Sequence, residues 1–227
     1  MKLKFYVLSA LLLALVACEK KESAPAEVNL TTEDDRFSYG LGMVIGERVL
    51  KEYGEVDYDL VLAGMKAQHK GETTLITVDE AGNAVNARME KLFAERTAAN
   101  RKRGEDYLTS NKAKEGVQVT ESGLQYSVIT DAEGPKPKPT DTVTVHYRGT
   151  LIDGTEFDSS YSRGAPTSFQ LNQVIPGWTE GVQLMSVGAK YQFVIPHDLA
   201  YGERGAGGQI GPFETLIFEV ELIEINS

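Results

Sequence analysis

Few side chains in this sequence of 227 residues are of types that make or break bonds, and their spacing argues against covalent chemistry. Cys18 is the single cysteine, so no intramolecular disulfide and no cysteine metal cluster can form. His69, His146 and His197 lie far apart without metal-ligand spacing, and neither metal catalysis nor a Cys–His pair is expected. Gly40, Gly42 and Gly46 loosely resemble a nucleotide-binding fingerprint, but their spacing is wrong and no strand precedes them. They read as small residues that let helices pack closely. The glycine-rich run from Gly202 to Gly211 is followed by no Lys-Ser/Thr pair and opens no helix, so it is no phosphate cradle. What remains is the aromatic side chains of the alternating segments, none of which is marked out as a site by its type or spacing alone. Any one aromatic on a strand is more often core than site.

The elements that must position this set lie in the C-terminal half. From about Gly116 the pattern alternates with period two: Val117-Val119, Leu124-Tyr126-Val128, Val143-Val145-Tyr147, Phe169-Leu171, Tyr191-Phe193-Ile195 and Leu216-Phe218-Val220-Leu222. Gly, Pro or Asp clusters bound each run, which predicts an antiparallel sheet with one buried face. One helical stretch, Trp178 to Met185, interrupts the strands and can pack on the concave side of that sheet. The class of this domain is α+β.

The preceding part reads as helical. Phe37, Leu41, Val44, Ile45 and Val49 recur at helical spacing from Thr32 onward, with Asp34 and Asp35 near the helix start. A second helix is expected over Tyr58 to Gln68, presenting Leu60, Val61 and Met65. Thr77-Val78-Asp79-Glu80 is a capping-box pattern, and no proline follows before Asn111, so a helix of about thirty residues should start there. Its first half carries Val85, Met89, Leu92 and Phe93 on one side, whereas Glu95 to Asp106 is nearly all polar. A helix polar all round bridges domains or stands in solvent. The apolar stripes need a partner, either a second copy of the segment or a fold-back on the same chain. A homodimer through these helices is the reading adopted.

The order of the C-terminal residues resembles the FKBP-type peptidyl-prolyl cis–trans isomerases. Val143-Thr144-Val145-His146-Tyr147-Arg148-Gly149 is similar to the strand that opens their pocket, and Asp153 to Ser160, with its Phe157-Asp158 pair, to the hairpin that follows. Gln173-Val174-Ile175-Pro176-Gly177-Trp178-Thr179-Glu180-Gly181 is similar to the pocket-floor segment. Ala200-Tyr201-Gly202 and Leu216 to Leu222 complete a match over about Glu121 to Ile225. The helical segments before it further resemble the macrophage-infectivity-potentiator-like branch. The resemblance implies an antiparallel half-barrel sheet wrapped on a short helix, preceded by an all-helical N-terminal domain with a long connecting helix. It implies domains over 31–111 (helical dimerisation domain and connector) and 112–227 (isomerase).

It also implies roles. Trp178 would form the pocket floor, Tyr147, Phe157 and Phe218 its walls, and Phe169, Val174 and Ile175 the filling. The Ile175 N–H and the Tyr201 hydroxyl would hold substrate carbonyls, and Asp158 would face the twisting amide or orient Tyr147. Ile210 would survive as the apolar contact of a lid, residues 202–211, whose five glycines make it floppy. His146 would point to the opposite face of the sheet. Such a site needs no nucleophile, metal or cofactor, and FKBP-directed macrolides are possible inhibitors. Proline-containing unfolded or nascent exported proteins are the implied substrates. A proline-recognising chaperone with little turnover and an anchored interaction protein working through the helices alone are the alternatives.

Location is read from the other end of the chain. Lys2 and Lys4 precede an apolar run from Phe5 to Ala17, a length that suits a signal peptide (1–17) rather than a membrane span. Leu15-Val16-Ala17-Cys18 resembles the lipobox of bacterial lipoproteins, which implies lipidation at Cys18 and a flexible tether over 18–30. Glu19 stands where an inner-membrane retention signal would carry Asp, so the periplasmic cell envelope is expected, with the outer membrane favoured. A net charge of −10 argues against nucleic acid as a partner and against electrostatic docking on anionic lipid.

Overall fold

The computed structural model describes residues 28–226; the signal segment, Cys18 and the tether as far as residue 27 lie outside the described residues. The chain forms two compact units, divided after Glu52.

In the first unit, helix α1 (Glu33–Arg48) begins at Thr32, whose hydroxyl accepts from the Asp35 N–H while the Asp35 carboxylate accepts from the Thr32 N–H at 2.8 Å. This is a capping box with Asp in the place usually held by Glu or Gln. The acidic first turn and Arg48 in the last both suit the helix dipole. α1 buries none of its residues, and Phe37 remains 70% exposed.

The second unit opens with α2 (Tyr58–Lys70), capped by Asp57 and stopped by Gly71 in the left-handed conformation (φ 66°). Helix α3 (Val78–Asn111) starts at the expected box, where Thr77 and Glu80 cap each other. It runs 34 residues, and its polar half, though mostly exposed, is not exposed all round. Asn100, Gly104 and Asn111 are buried along one stripe of the helix. Asn111 Nδ2 donates to Gln125 Oε1 at 2.9 Å, and Gln125 Nε2 donates to the Leu108 carbonyl at 2.9 Å. The helix therefore docks on the sheet domain through hydrogen bonds rather than apolar burial.

The sheet comprises β1 (Gln118–Val119), β2 (Gln125–Thr130), β3 (Thr142–Leu151), β4 (Glu156–Ser159), β5 (Thr167–Gln170), β6 (Lys190–Ile195) and β7 (Leu216–Asn226). Its order is β1-β2-β6-β7-β3-β4, every pairing antiparallel. β5 also pairs with β3, beside the first part of that strand, while β4 pairs with its last part. Helix α4 (Pro176–Val182) covers the concave face. It starts two residues before the expected Trp178, because Pro176 at the first helical position has its φ preset for the turn. It also stops earlier; Leu184 and Met185 continue only as turns, and Met185 reaches the core that way. Gly181 brings α4 down on β6, since a Cβ there would lie 2.7 Å from the Phe193 ring. Val143, Val145, Leu171, Val182, Phe193, Val220 and Leu222 are fully buried between helix and sheet.

Candidate functional site

At the edge of this core, where α4 leaves the sheet uncovered, a cavity of about 710 Å³ opens. Trp178, in the first turn of α4, forms its floor and is 4% exposed. Three rings meet Trp178 edge-on: Tyr147 from β3 at 5.2 Å, Phe218 from β7 at 5.1 Å and Phe169 from β5 at 5.2 Å between centroids. Phe157 of β4 stands perpendicular to Phe218 at 5.5 Å. Alternation along β3 and β7 points these side chains into the bowl. Gly149 gives two of them room, because a Cβ at that position would lie 2.7 Å from both Phe157 and Phe218. Edge-to-face packing of this kind favours rings held at fixed angles.

Polar groups sit at the rim. The Tyr147 hydroxyl donates to Asp158 Oδ2 at 2.5 Å and accepts from Arg163 Nη2 at 2.8 Å. Arg163 also pairs with Asp158 through Nη1. Burial pushes the Asp158 carboxyl up, but the hydrogen bonds from Tyr147 and Arg163 and the guanidinium charge outweigh it, holding the group below its ordinary value. Burial raises the Tyr147 hydroxyl, and the Asp158 bond adds to that. Tyr201 is raised by burial and then by the Asp158 charge. At neutral pH the site thus carries one carboxylate and two neutral phenols that can donate. Beneath Tyr147, the buried Ser160 hydroxyl accepts its backbone N–H at 2.8 Å and fixes the strand there. The Ile175 N–H, just before α4, and the Tyr201 hydroxyl have no protein acceptor among the described residues.

The structure brings together every pocket residue that the sequence singled out: Tyr147, Phe157, Asp158, Phe169, Val174, Ile175, Trp178, Tyr201, Ile210 and Phe218 all line the cavity. His146 faces the other side of β3, stacked on Tyr161 at 4.6 Å. Arg163 is the residue that sequence reasoning missed. It lies in an irregular turn with no period to mark it, and its only signal is a cation five residues beyond Asp158. Gln173, Gln209 and Thr167 add polar groups to the lining.

The lid is also more ordered than its glycines suggest. Ala206 and Ile210 exchange backbone hydrogen bonds at 2.9 and 3.0 Å, closing a small turn that seats Ile210 against the core. Gly205 is required in that turn: its φ is +63°, and a Cβ there would lie 2.1 Å from the Ile210 carbonyl oxygen.

Comparison with known proteins finds relatives along nearly the whole chain. A family model described as FKBP-type peptidyl-prolyl cis-trans isomerase matches residues 134–223. A second, for the domain amino terminal to FKBP-type peptidyl-prolyl isomerase, matches residues 34–128. The outer membrane protein MIP of Legionella longbeachae is 39% identical over 99% of both chains. The FKBP-type 22 kDa peptidyl-prolyl cis-trans isomerase of Escherichia coli is 46% identical, over 86% of this chain and 96% of that protein. The crystal structure of FkpA from Escherichia coli superposes with a TM-score of 0.71 at 37% identity, covering 87% of this chain and 99% of that one.

Proposed function

Because this chain belongs to the FKBP-type peptidyl-prolyl cis–trans isomerase family, we propose that the ring-walled cavity over Trp178 is its isomerase site and that it works without covalent chemistry. Rotation about an X–Pro bond is slow because amide resonance must be broken, with a barrier of about 20 kcal/mol. In the twisted amide the carbonyl and nitrogen no longer conjugate, and the group is less polar. It therefore loses less than the planar amide on leaving water for an apolar bowl, and that difference lowers the barrier.

In this reading the proline ring rests on Trp178 between Tyr147, Phe157 and Phe218, with Phe169, Val174, Ile175 and Ile210 closing the sides. The Ile175 N–H and the Tyr201 hydroxyl take substrate carbonyls, and Asp158, ionised and fixed by Tyr147 and Arg163, faces the twisting amide. The observation that carries the reading is the pairing of a rigid aromatic bowl with two donors left without protein acceptors. A protease-coupled assay on an X-Pro peptide tests it, with and without an FKBP-directed macrolide. Wild-type turnover is expected to be lost in Trp178→Leu and weakened in Asp158→Ala while both variants stay folded. Unchanged rates in both would refute the site, and a wild type no faster than buffer that still suppresses aggregation would leave the chaperone reading.

The substrates are proteins whose X–Pro steps limit folding outside the cytoplasm. Among the described residues no helix is long and apolar enough to cross a membrane, and attachment to the envelope falls to lipid on Cys18, with the outer membrane favoured. The apolar side chains that α1 and α2 leave in solvent, Phe37 at 70% and Leu60 at 68% exposed, support pairing of two chains through this region.

A further inference from the structure

The lid of the pocket is anchored to the connecting helix. Asn100 of α3, 3% exposed, donates from Nδ2 to the Pro212 carbonyl at 2.8 Å, across 112 residues of sequence. Its Oδ1 accepts from Arg103 Nη2 at 2.7 Å, and the same nitrogen reaches Glu214 Oε1 at 3.2 Å. At the next residue, the Arg101 guanidinium lies 3.5 Å over the Phe213 ring, and His197 forms an edge-type pair with the same ring at 5.0 Å between centroids. Gly104 lets the helix come this close, since a Cβ there would lie 2.6 Å from Thr215 Oγ1.

Phe213 is the point these contacts converge on. Among the described residues it is the one non-glycine with positive φ, +56°, a costly backbone state for a bulky residue that persists only where the surroundings hold it. In that state its N–H donates to the Gly202 carbonyl at 2.8 Å, closing the loop that runs from Tyr201 to Ile210. Both of those residues line the cavity. We infer that Asn100, supported by Arg101 and Arg103, is a positioning residue of the isomerase site, holding the base of the lid so that Tyr201 and Ile210 meet substrate in fixed places. The inference rests on the cavity being the site proposed above.

Contacts from the lid exist both in the bound substrate and in its twisted form, so loosening them weakens binding more than turnover. Asn100→Leu and Asn100→Asp in the full-length chain both remove the donor to Pro212, while the second keeps an acceptor for Arg103. Each is expected to raise KM for an X-Pro peptide roughly fivefold, the loss expected for one buried hydrogen bond, with kcat within about twofold. The peptide Kd, read from the fluorescence of the single tryptophan, should rise in step. Hydrogen exchange should accelerate across 202–211. Should either Asn100 variant fail to fold, Arg103→Ala carries the same test from a side chain already 51% exposed. An active wild type with KM and lid exchange unchanged in the folded variants overturns the inference, as does a lowered Tm with KM unmoved. A wild type without isomerase activity sinks the reading of the pocket instead.

Discussion

Replacing Tyr147 by Phe removes one oxygen from the rim and leaves the ring that packs on Trp178 and Phe218. That oxygen makes two hydrogen bonds with ionised partners, to Asp158 at 2.5 Å and from Arg163 at 2.8 Å. Fully buried, each would be worth about 1.5–3 kcal/mol. Here the Asp158 and Arg163 side chains are 42% and 47% exposed and keep each other as partners, so water replaces much of what is lost. The expected cost to stability is about 1 kcal/mol, a fall in Tm of about 3 °C for a body of this size. In the proposed site the same loss leaves Asp158 held by Arg163 alone, and kcat/KM should drop about tenfold, the equivalent of about 1.4 kcal/mol in the barrier. The pH dependence supplies a second reading. Asp158 has a folded-state pKa held below its unfolded value of about 3.9, so its stabilising contribution is complete above that pH and vanishes as pH falls through the lower folded value. With Tyr147 gone, one of the bonds that hold it down is missing, its folded pKa rises toward the unfolded value, and the acid limb of the stability profile should become shallower. A protease-coupled rate measurement and thermal melts from about pH 3 to pH 7 check both. A lower Tm with wild-type kcat/KM would make the network structural only, and an unchanged acid limb would show that Tyr147 does not hold Asp158.

Other expectations follow from single contacts. Gly149→Ala places a methyl 2.7 Å from Phe157 and Phe218, and overpacking of this kind should cost about 1–3 kcal/mol in urea denaturation; a neutral substitution would mean those rings are free to move. Burial raises the Glu214 carboxyl despite Arg103, so its ionisation opposes folding, and stability should decline as pH rises through the folded pKa. Glu214→Gln should therefore gain in Tm relative to wild type as pH rises from about 4 to 8, and a difference that stays flat or shrinks would contradict this. Sedimentation of residues 19–227 against 95–227, a cut that leaves the docked half of α3 in place, should give a dimer and a monomer; two monomers would end the pairing hypothesis. Mass spectrometry of the membrane-extracted protein should find an acylated N-terminus at Cys18, and an unmodified cysteine would refute the anchor.

The parts of this molecule that were legible in the sequence share a physical cause, and so do the parts that were not. Alternating apolar residues reported β3 and β7 because one face of each strand is buried and the other is not, whereas β2 buries Gln125 and leaves Val128 exposed, and the end of β6 is buried on both faces. Thr77 and Glu80 announced the start of α3 because their reciprocal bonds need side chains three residues apart. The pocket aromatics were found through family order, since each ring by itself looks like core, and Trp178 is in fact buried as deeply as core. Three features escaped. Thr32 and Asp35 cap α1 with a shorter acid than the usual pattern names. Arg163 reaches Asp158 and Tyr147 from a turn where no period applies. The stripe Asn100, Gly104, Asn111 is polar or small, so a search for apolar periodicity reads it as solvent-facing, although it buries against Thr215, Pro212 and Gln125. Apolar burial leaves a periodic trace because water must be excluded along a whole face. A hydrogen-bonded interface needs only a few matched donors and acceptors, whose partners are fixed by the fold and not by neighbours in sequence. That distinction falls across the proposed site itself. The bowl is apolar and its residues were reached through the family order of the sequence, whereas the contacts of Asp158 with Tyr147 and Arg163 and of Asn100 with Pro212 are polar and emerge only when distant segments are brought together.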